Sequence, residues 1–161
     1  MKLVERKLPT PWIKDYDAIA GNPPTRWAQM FNLTNWGMLF VREDGRLVGG
    51  AVIAWNTPGC DMLHGRDDLA VLWDIRVAQE HRGKGIGKAL FAAVEEWART
   101  RGFVELQIET QNINVGACKF CQRRGCKLVS MRRNAYPEFP DEVQLVWGKG
   151  LISDQRTRNN K

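Results

Sequence analysis

Two spacings of apolar residues alternate along this chain. Trp36–Arg42 and Leu47–Trp55 are short apolar runs, with Glu43-Asp44-Gly45-Arg46 between them. An Asp-Gly pair joining two such runs predicts a hairpin. A third run, Leu69–Val77, is followed by Ile86, Leu90, Phe91, Val94, Trp97 and Ala98 at helical spacing, and Gly102 stops that pattern. Phe103–Ile108 predicts another strand, with Val104, Leu106 and Ile108 on one face. A shorter helix is expected over Val115–Arg124, ending at Gly125, and strands over Lys127–Arg132 and Val143–Trp147. Before the hairpin, Leu3–Leu8 alternates weakly as a strand. Pro11 can open a helix, and a second helix is expected over Thr25–Asn32 after Gly21-Asn22-Pro23-Pro24. The tally is a mixed α/β chain of about seven strands and about four helices. Residues 1–152 are read as a single domain and 153–161 as a polar, basic tail.

The junction after the third strand carries the most chemistry. Glu80-His81-Arg82-Gly83-Lys84-Gly85-Ile86-Gly87 places glycines at alternating positions between a strand and a helix. Glycine admits close backbone approach and positive φ. The first helical turn leaves N–H groups unpaired at the positive end of the dipole. Together they predict a socket for a phosphate or pyrophosphate, with Arg82, Lys84 and Lys88 as nearby charges. No Gly-Lys-Ser/Thr follows, which excludes a Walker loop. A dinucleotide fold has only Glu109, at the end of the next strand, in its favour, and the glycines lie several strands into the chain.

Composition narrows the partners. Across 161 residues, 43% hydrophobic and 26% charged is ordinary for a soluble globular protein. The net charge of +6 owes part of its excess to Gln155–Lys161, and no basic helix with interleaved aromatics appears, so nucleic acid is not the expected partner. The Met1 start lacks a basic-then-apolar leader and no run reaches spanning length, so a cytoplasmic location without membrane contact is expected. The oligomeric state is left open between monomer and homodimer. Cys118 and Cys121 have C-x2-C spacing, but a zinc site wants four ligands and only Cys126, Cys60, His64 and His81 remain to complete it. Small reduced thiols and no metal are the expectation.

The residues Ile75-Arg76-Val77 and Arg82-Gly83-Lys84-Gly85-Ile86-Gly87 resemble the acetyl-coenzyme A signature of the GNAT N-acetyltransferase superfamily. Asn114-Val115-Gly116-Ala117, Phe120 and Gly125 similarly match that superfamily's following helix. More narrowly, Trp73–Val77, Glu109–Asn114 and Ala135–Glu142 look like the streptothricin acetyltransferases. The resemblance covers about half of the chain, Leu69 to Trp147. It implies a GNAT-like fold in which a bulge splays two central parallel strands, here Leu69–Val77 and Phe103–Thr110. Pantetheine would then pair with the freed backbone of Ile75 and Val77, and the N–H groups from Gly83 to Lys88 would hold the pyrophosphate. It also implies transfer of acetyl from acetyl-CoA to a primary amine of a small cationic acceptor, plausibly streptothricin or a related antibiotic. Alternatives are a protein N-terminal or lysine acetyltransferase and a non-catalytic acyl-CoA sensor.

An amine of pKa about 10.4 must lose a proton before it attacks. Asp74 and Glu109, near the C-terminal ends of the two central strands, are the candidate bases, with Glu109 preferred; each also has a plain structural reading. A backbone N–H near Val77 would meet the oxyanion. Asn114 resembles a residue contacting the pantetheine arm, and equally reads as a helix N-cap. Where many relatives carry a tyrosine as general acid, this chain has Cys121, and Tyr136 in the late loop is a substitute donor. The acidic residues Asp61, Asp67, Asp68, Glu138, Asp141 and Glu142 are expected in two loops framing the acceptor mouth.

Overall fold

The computed structural model describes residues 3–152. A short helix α1 (Pro24–Met30) starts on proline, whose missing N–H is no loss in a first turn. Strands β1 (Gly37–Glu43) and β2 (Arg46–Ala54) form the expected hairpin, with Asp44 and Gly45 at φ 48° and 78°. Two positive φ angles match the twist of the flanking strands. Strand β3 (Leu69–Val77) leads through the glycine loop into α2 (Ile86–Thr100), and β4 (Glu105–Gln111) returns parallel to β3. Helix α3 (Val115–Arg123), β5 (Lys127–Arg133) and β6 (Val143–Gly150) complete a six-stranded mixed sheet in the order β1-β2-β3-β4-β6-β5.

Two expected elements are absent among the described residues, so the sheet has six strands and the chain three α-helices. Leu3–Leu8 is not a strand; it carries an alternation but finds no partner edge, and Pro9 and Pro11 follow it. Pro11 opens no helix. Asp15 caps only a single 3-10 turn, Tyr16–Ala18, and Ile19 is already extended. Helix α1 stops short of Asn32 because Asn32 caps a separate 3-10 turn, Leu33–Asn35. Val104 lies outside β4, where its backbone bonds Asp68 and Leu151. The basic tail lies outside the described residues.

The larger core sits between the sheet and α2 and α3. It joins Ala51, Ile53, Ala70 and Leu72 of the sheet to Leu90, Phe91, Val94 and Ala98 of α2, and to Cys118 and Cys121 of α3. The periodicity of α2 therefore reports a buried stripe. On the other face Leu69 and Val71 pack with Leu63 and Cys60, flanked by Phe31 and Trp73. Trp27, Trp36 and Trp73 meet there with centroids 5.2–6.4 Å apart. Trp97 of α2 crosses β1 so closely that a Cβ on Gly37 would lie 2.6 Å from its ring. Gly37→Val should therefore lower unfolding free energy by about 1–3 kcal/mol, read by urea titration.

Candidate active site

The site is made by an interruption in β3. Ile53 of β2 pairs with Leu72, but Val52 pairs with Asp74, so Trp73 is an extra residue. Such a bulge leaves ladder groups unmatched and bends its strand. It also resets the alternation. Ala70 and Leu72 face the α2 core, Trp73 joins the opposite aromatic cluster, and Ile75 and Val77 face α2 again. Trp73 and Asp74 consequently share a face. On the other side of β3, pairing with β4 runs from Leu69↔Glu105 only to Leu72↔Ile108. From Trp73 to Val77 the β4-facing edge of β3 has no strand partner, and the two strands part.

At the end of β3 the chain passes through a 3-10 turn, Gln79–His81, to Gly83 and Gly85, at φ 77° and 86°. Space is open around both, with nothing within 4 Å of a Cβ built on either. Gly85 is the N-cap of α2 and brings no side-chain cap. The first intrahelical bond is Ala89 N–H to the Gly85 carbonyl, so the N–H groups of Ile86, Gly87 and Lys88 lack intrahelical partners. Lys84 and Lys88 are exposed at the rim. The Arg82 guanidinium folds back to donate to the Val77 carbonyl at 3.2 Å. The residues present fit an extended, amide-bearing ligand with a diphosphate: an unpaired strand edge for the amides and an uncapped helix start for the anion.

Glu109 stands where β4 leaves β3, half-buried, and it is the hub of a hydrogen-bond network. Tyr136 donates its hydroxyl to Glu109 Oε1 at 2.5 Å, and Gln144 donates to Oε2 at 2.7 Å. Gln111 donates to the Tyr136 oxygen at 3.0 Å. Tyr16, from the N-terminal segment, donates to Gln111 Oε1 at 2.9 Å and accepts from Asn114 Nδ2 at 3.2 Å. The other Asn114 amide atom caps α3 by accepting from Ala117 N–H at 3.1 Å. Burial, reinforced by the carboxylate of Glu109, pushes the Tyr136 phenol well above its ordinary value of 10.0. Burial raises Tyr16 too, against the Asn114 hydrogen bond. Both phenols therefore keep their protons at neutral pH.

These side chains line a cavity of about 350 Å³ bounded by Lys14, Tyr16, Ile19 and Asn22 on one side and Tyr136–Phe139 on the other, with Glu109 and Gln111 between. Behind Lys14 lies a buried ion pair. Its Nζ is 2.5 Å from Glu142 Oε2, with side chains only 9% and 1% exposed.

Not every expected residue joins this cluster. Asp74 is clasped by Arg76, which also grips Asp17 at 2.8 Å, tying the N-terminal segment to β3. Burial raises the Asp74 carboxyl, with Arg76 opposing that rise. The Cys121 thiol is 2% exposed within the core, beside Cys126, whose hydrogen bond together with burial drives it far above a normal thiol. Asp61, Asp67 and Asp68 do not frame this mouth. Their loop enters β3 at Leu69, at the strand end remote from the parting of β3 and β4, where Asp68 bonds Arg66. Sequence reasoning missed Lys14, Tyr16, Gln111 and Gln144. Gln144 becomes a neighbour only through strand pairing, since β6 places it opposite Gln111, diagonal to Glu109. Lys14 and Tyr16 had no signal, being tied to partners 95–128 residues away.

A β3 parted from its parallel neighbour, followed by a glycine loop and an uncapped helix, is the architecture of an acyl-coenzyme A binding fold. The chain matches the Acetyltransferase (GNAT) family over residues 6–126 and belongs to that family. It is 36% identical over 111 residues to streptothricin acetyltransferase A of Bacillus subtilis (strain 168), a match covering 67% of this chain and 64% of that protein. The chain thus spans under two thirds of that relative's length. The crystal structure of nourseothricin acetyltransferase superimposes with a TM-score of 0.63 at 28% identity, covering 74% of this chain and 67% of that one. A Bacillus anthracis str. Ames protein assigned as a streptothricin acetyltransferase, solved with acetyl coenzyme A, gives 0.64 at 27% identity, covering 76% and 66%.

The raised phenols make a stability prediction. A group whose folded pKa exceeds its unfolded value stabilises fully below the unfolded value and loses that contribution above it. Stability should therefore fall as pH rises beyond 10.0, and Tyr136→Phe should flatten that fall in urea titrations across alkaline pH.

Proposed function

We propose that the protein is an acetyl-CoA-dependent N-acetyltransferase whose acceptor is the primary amine of a small cationic molecule. Streptothricin or a related antibiotic is the favoured acceptor class, with resistance as the biological role. One observation carries this reading: Glu109, one residue past the last β3–β4 pair, lines a half-open cavity between the N-terminal segment and the Tyr136–Phe139 loop. A carboxylate has about four acceptor positions. Tyr136 at 2.5 Å and Gln111 at 3.4 Å donate to Oε1, and Gln144 at 2.7 Å takes one position on Oε2, which leaves the second Oε2 position for an incoming ammonium. The names of the relatives support the acceptor class.

When bound, the coenzyme supplies an acetyl thioester. The backbone edge of Ile75, Arg76 and Val77 would align its amide arm with Asn114, and the loop Gly83–Lys88, with Arg82 and Lys84 at its rim, would hold its diphosphate. Glu109 attracts the acceptor ammonium and takes a proton from it, which frees the nitrogen lone pair. Tyr136, donating to Glu109, keeps that carboxylate oriented, and its phenol would supply the proton for the thiolate that must leave. Asp74, already held by Arg76, acts through the N-terminal segment rather than on the amine. Cys121, enclosed in the core, has no path to either ligand.

The test is a thiol-release assay with acetyl-CoA against streptothricins, aminoglycosides, polyamines and peptides, paired with calorimetry on the coenzyme alone. Gly85→Glu, which fills and charges the anion socket, should abolish measurable coenzyme binding; near-normal affinity would remove the proposed socket. Glu109→Gln should lower turnover by roughly 10²–10⁴-fold while coenzyme affinity changes little. Equal losses of both would make Glu109 a structural residue.

A further inference from the structure

The ammonium of Lys14 is held as a ligand would be. It lies 4.0 Å from the ring centroid of Phe139, 5.1 Å from Tyr16 and 5.7 Å from Tyr136, and it donates to Glu142 Oε2. Aromatic faces within about 6 Å of a cation, closed by a carboxylate, form the arrangement by which proteins recognise alkylammonium groups. Glu142 is 1% exposed, and its Oε1 finds no hydrogen-bond partner among the described residues. A buried carboxylate oxygen left over in this way has unused acceptor capacity. The cage also opens where chemistry is expected, because Tyr16 and Tyr136 belong to the network around Glu109 and Lys14 itself lines the cavity.

A purely structural role accounts poorly for this pair. Desolvating both partners costs several kcal/mol, and well-packed apolar residues of similar volume commonly serve stability as well or better. Tyr16 and Asp17 already fasten the segment through Gln111, Asn114 and Arg76. What the lysine adds is a cation at a defined place on the cavity wall.

We infer that Tyr16, Tyr136, Phe139 and Glu142 form a primary-ammonium subsite, that Lys14 fills it as an internal ligand, and that Lys14 thereby sets acceptor specificity. This rests on the proposed transferase reading for its specificity half and on geometry alone for its binding half. With Lys14 in place, Glu142 is neutralised and the cavity offers Glu109 for one amine. With Lys14 truncated, the cavity gains a second cation position, suited to a diamine or polyamine acceptor.

The experiment uses Lys14→Ala, which excises a fragment equivalent to n-propylammonium. Thermal denaturation is followed with n-propylammonium, with 1-propanol as the uncharged match. The cation should raise the melting temperature of Lys14→Ala and leave wild type unmoved, and propanol should do nothing. Rescue should vanish in Lys14→Met, where a neutral chain fills the cage, and in Lys14→Ala/Glu142→Gln. Should Lys14→Ala fail to fold in plain buffer, its refolding yield with propylammonium against propanol is read instead. Absent rescue, or equal rescue in wild type or the double variant, would overturn the subsite. In acetyl transfer, the diamine-to-monoamine ratio of kcat/KM should rise about tenfold in Lys14→Ala over wild type, and an unchanged ratio would overturn the specificity role. Wild type that acetylates no amine would instead refute the transferase reading, leaving the thermal result to stand on its own.

Discussion

One unpaired residue in β3 organises this molecule. Trp73 has no partner in β2, and from that point β3 has none in β4 either. Two purposes that a regular sheet could not combine are thereby met. Residues before the bulge, Ala70 and Leu72, are spent on the hydrophobic core, while those after it present backbone to a gap. Along this half-exposed stretch, backbone N–H and C=O groups without a strand partner are available to a hydrogen-bonding guest. The uncapped start of α2 is likewise available to negative charge at the end of the same strand.

The opposite wall is built from far away in sequence. The segment around Tyr16 has almost no regular structure, and it is held across the cavity by polar contacts rather than by core burial. Trp12 and Ile13 are turned outward, the latter 92% exposed, while Ile19 faces the cavity. Segments secured this way sit at the low-stability end of a fold and can open without unfolding the sheet. A wall of this kind can be altered with little cost to the sheet behind it.

How much was legible beforehand follows from range. The hairpin at Asp44-Gly45, the stripe of α2 and the bounds of β3 are local signals, and they matched the structure closely. The turn at Gly83 and Gly85, both at positive φ before α2, was equally readable because it uses contiguous backbone. Glu109 could be nominated from its place at a strand end and Tyr136 from the late loop, but not their bond to each other nor the donors Gln144 and Gln111, which converge through strand pairing. Failures had the same origin. Leu3–Leu8 has a strand-like pattern without an available edge, and the acidic loop before β3 was assigned to the wrong end of a nine-residue strand. Pattern tells which face a residue takes, whereas only topology tells which end.

The sheet's two free margins are treated differently. Strand β5 is terminal, almost wholly exposed, and interrupted at Val129; it also carries Lys127, Arg132 and Arg133. Cations and a kink on an outermost strand repel and misalign any chain that tries to extend the ladder. The β1 margin has a kink at Val41/Arg42 but shows Met38 and Phe40, 47% and 59% exposed. If this protein self-associates through strand addition when concentrated or partly unfolded, that margin is where fibril-like growth would begin.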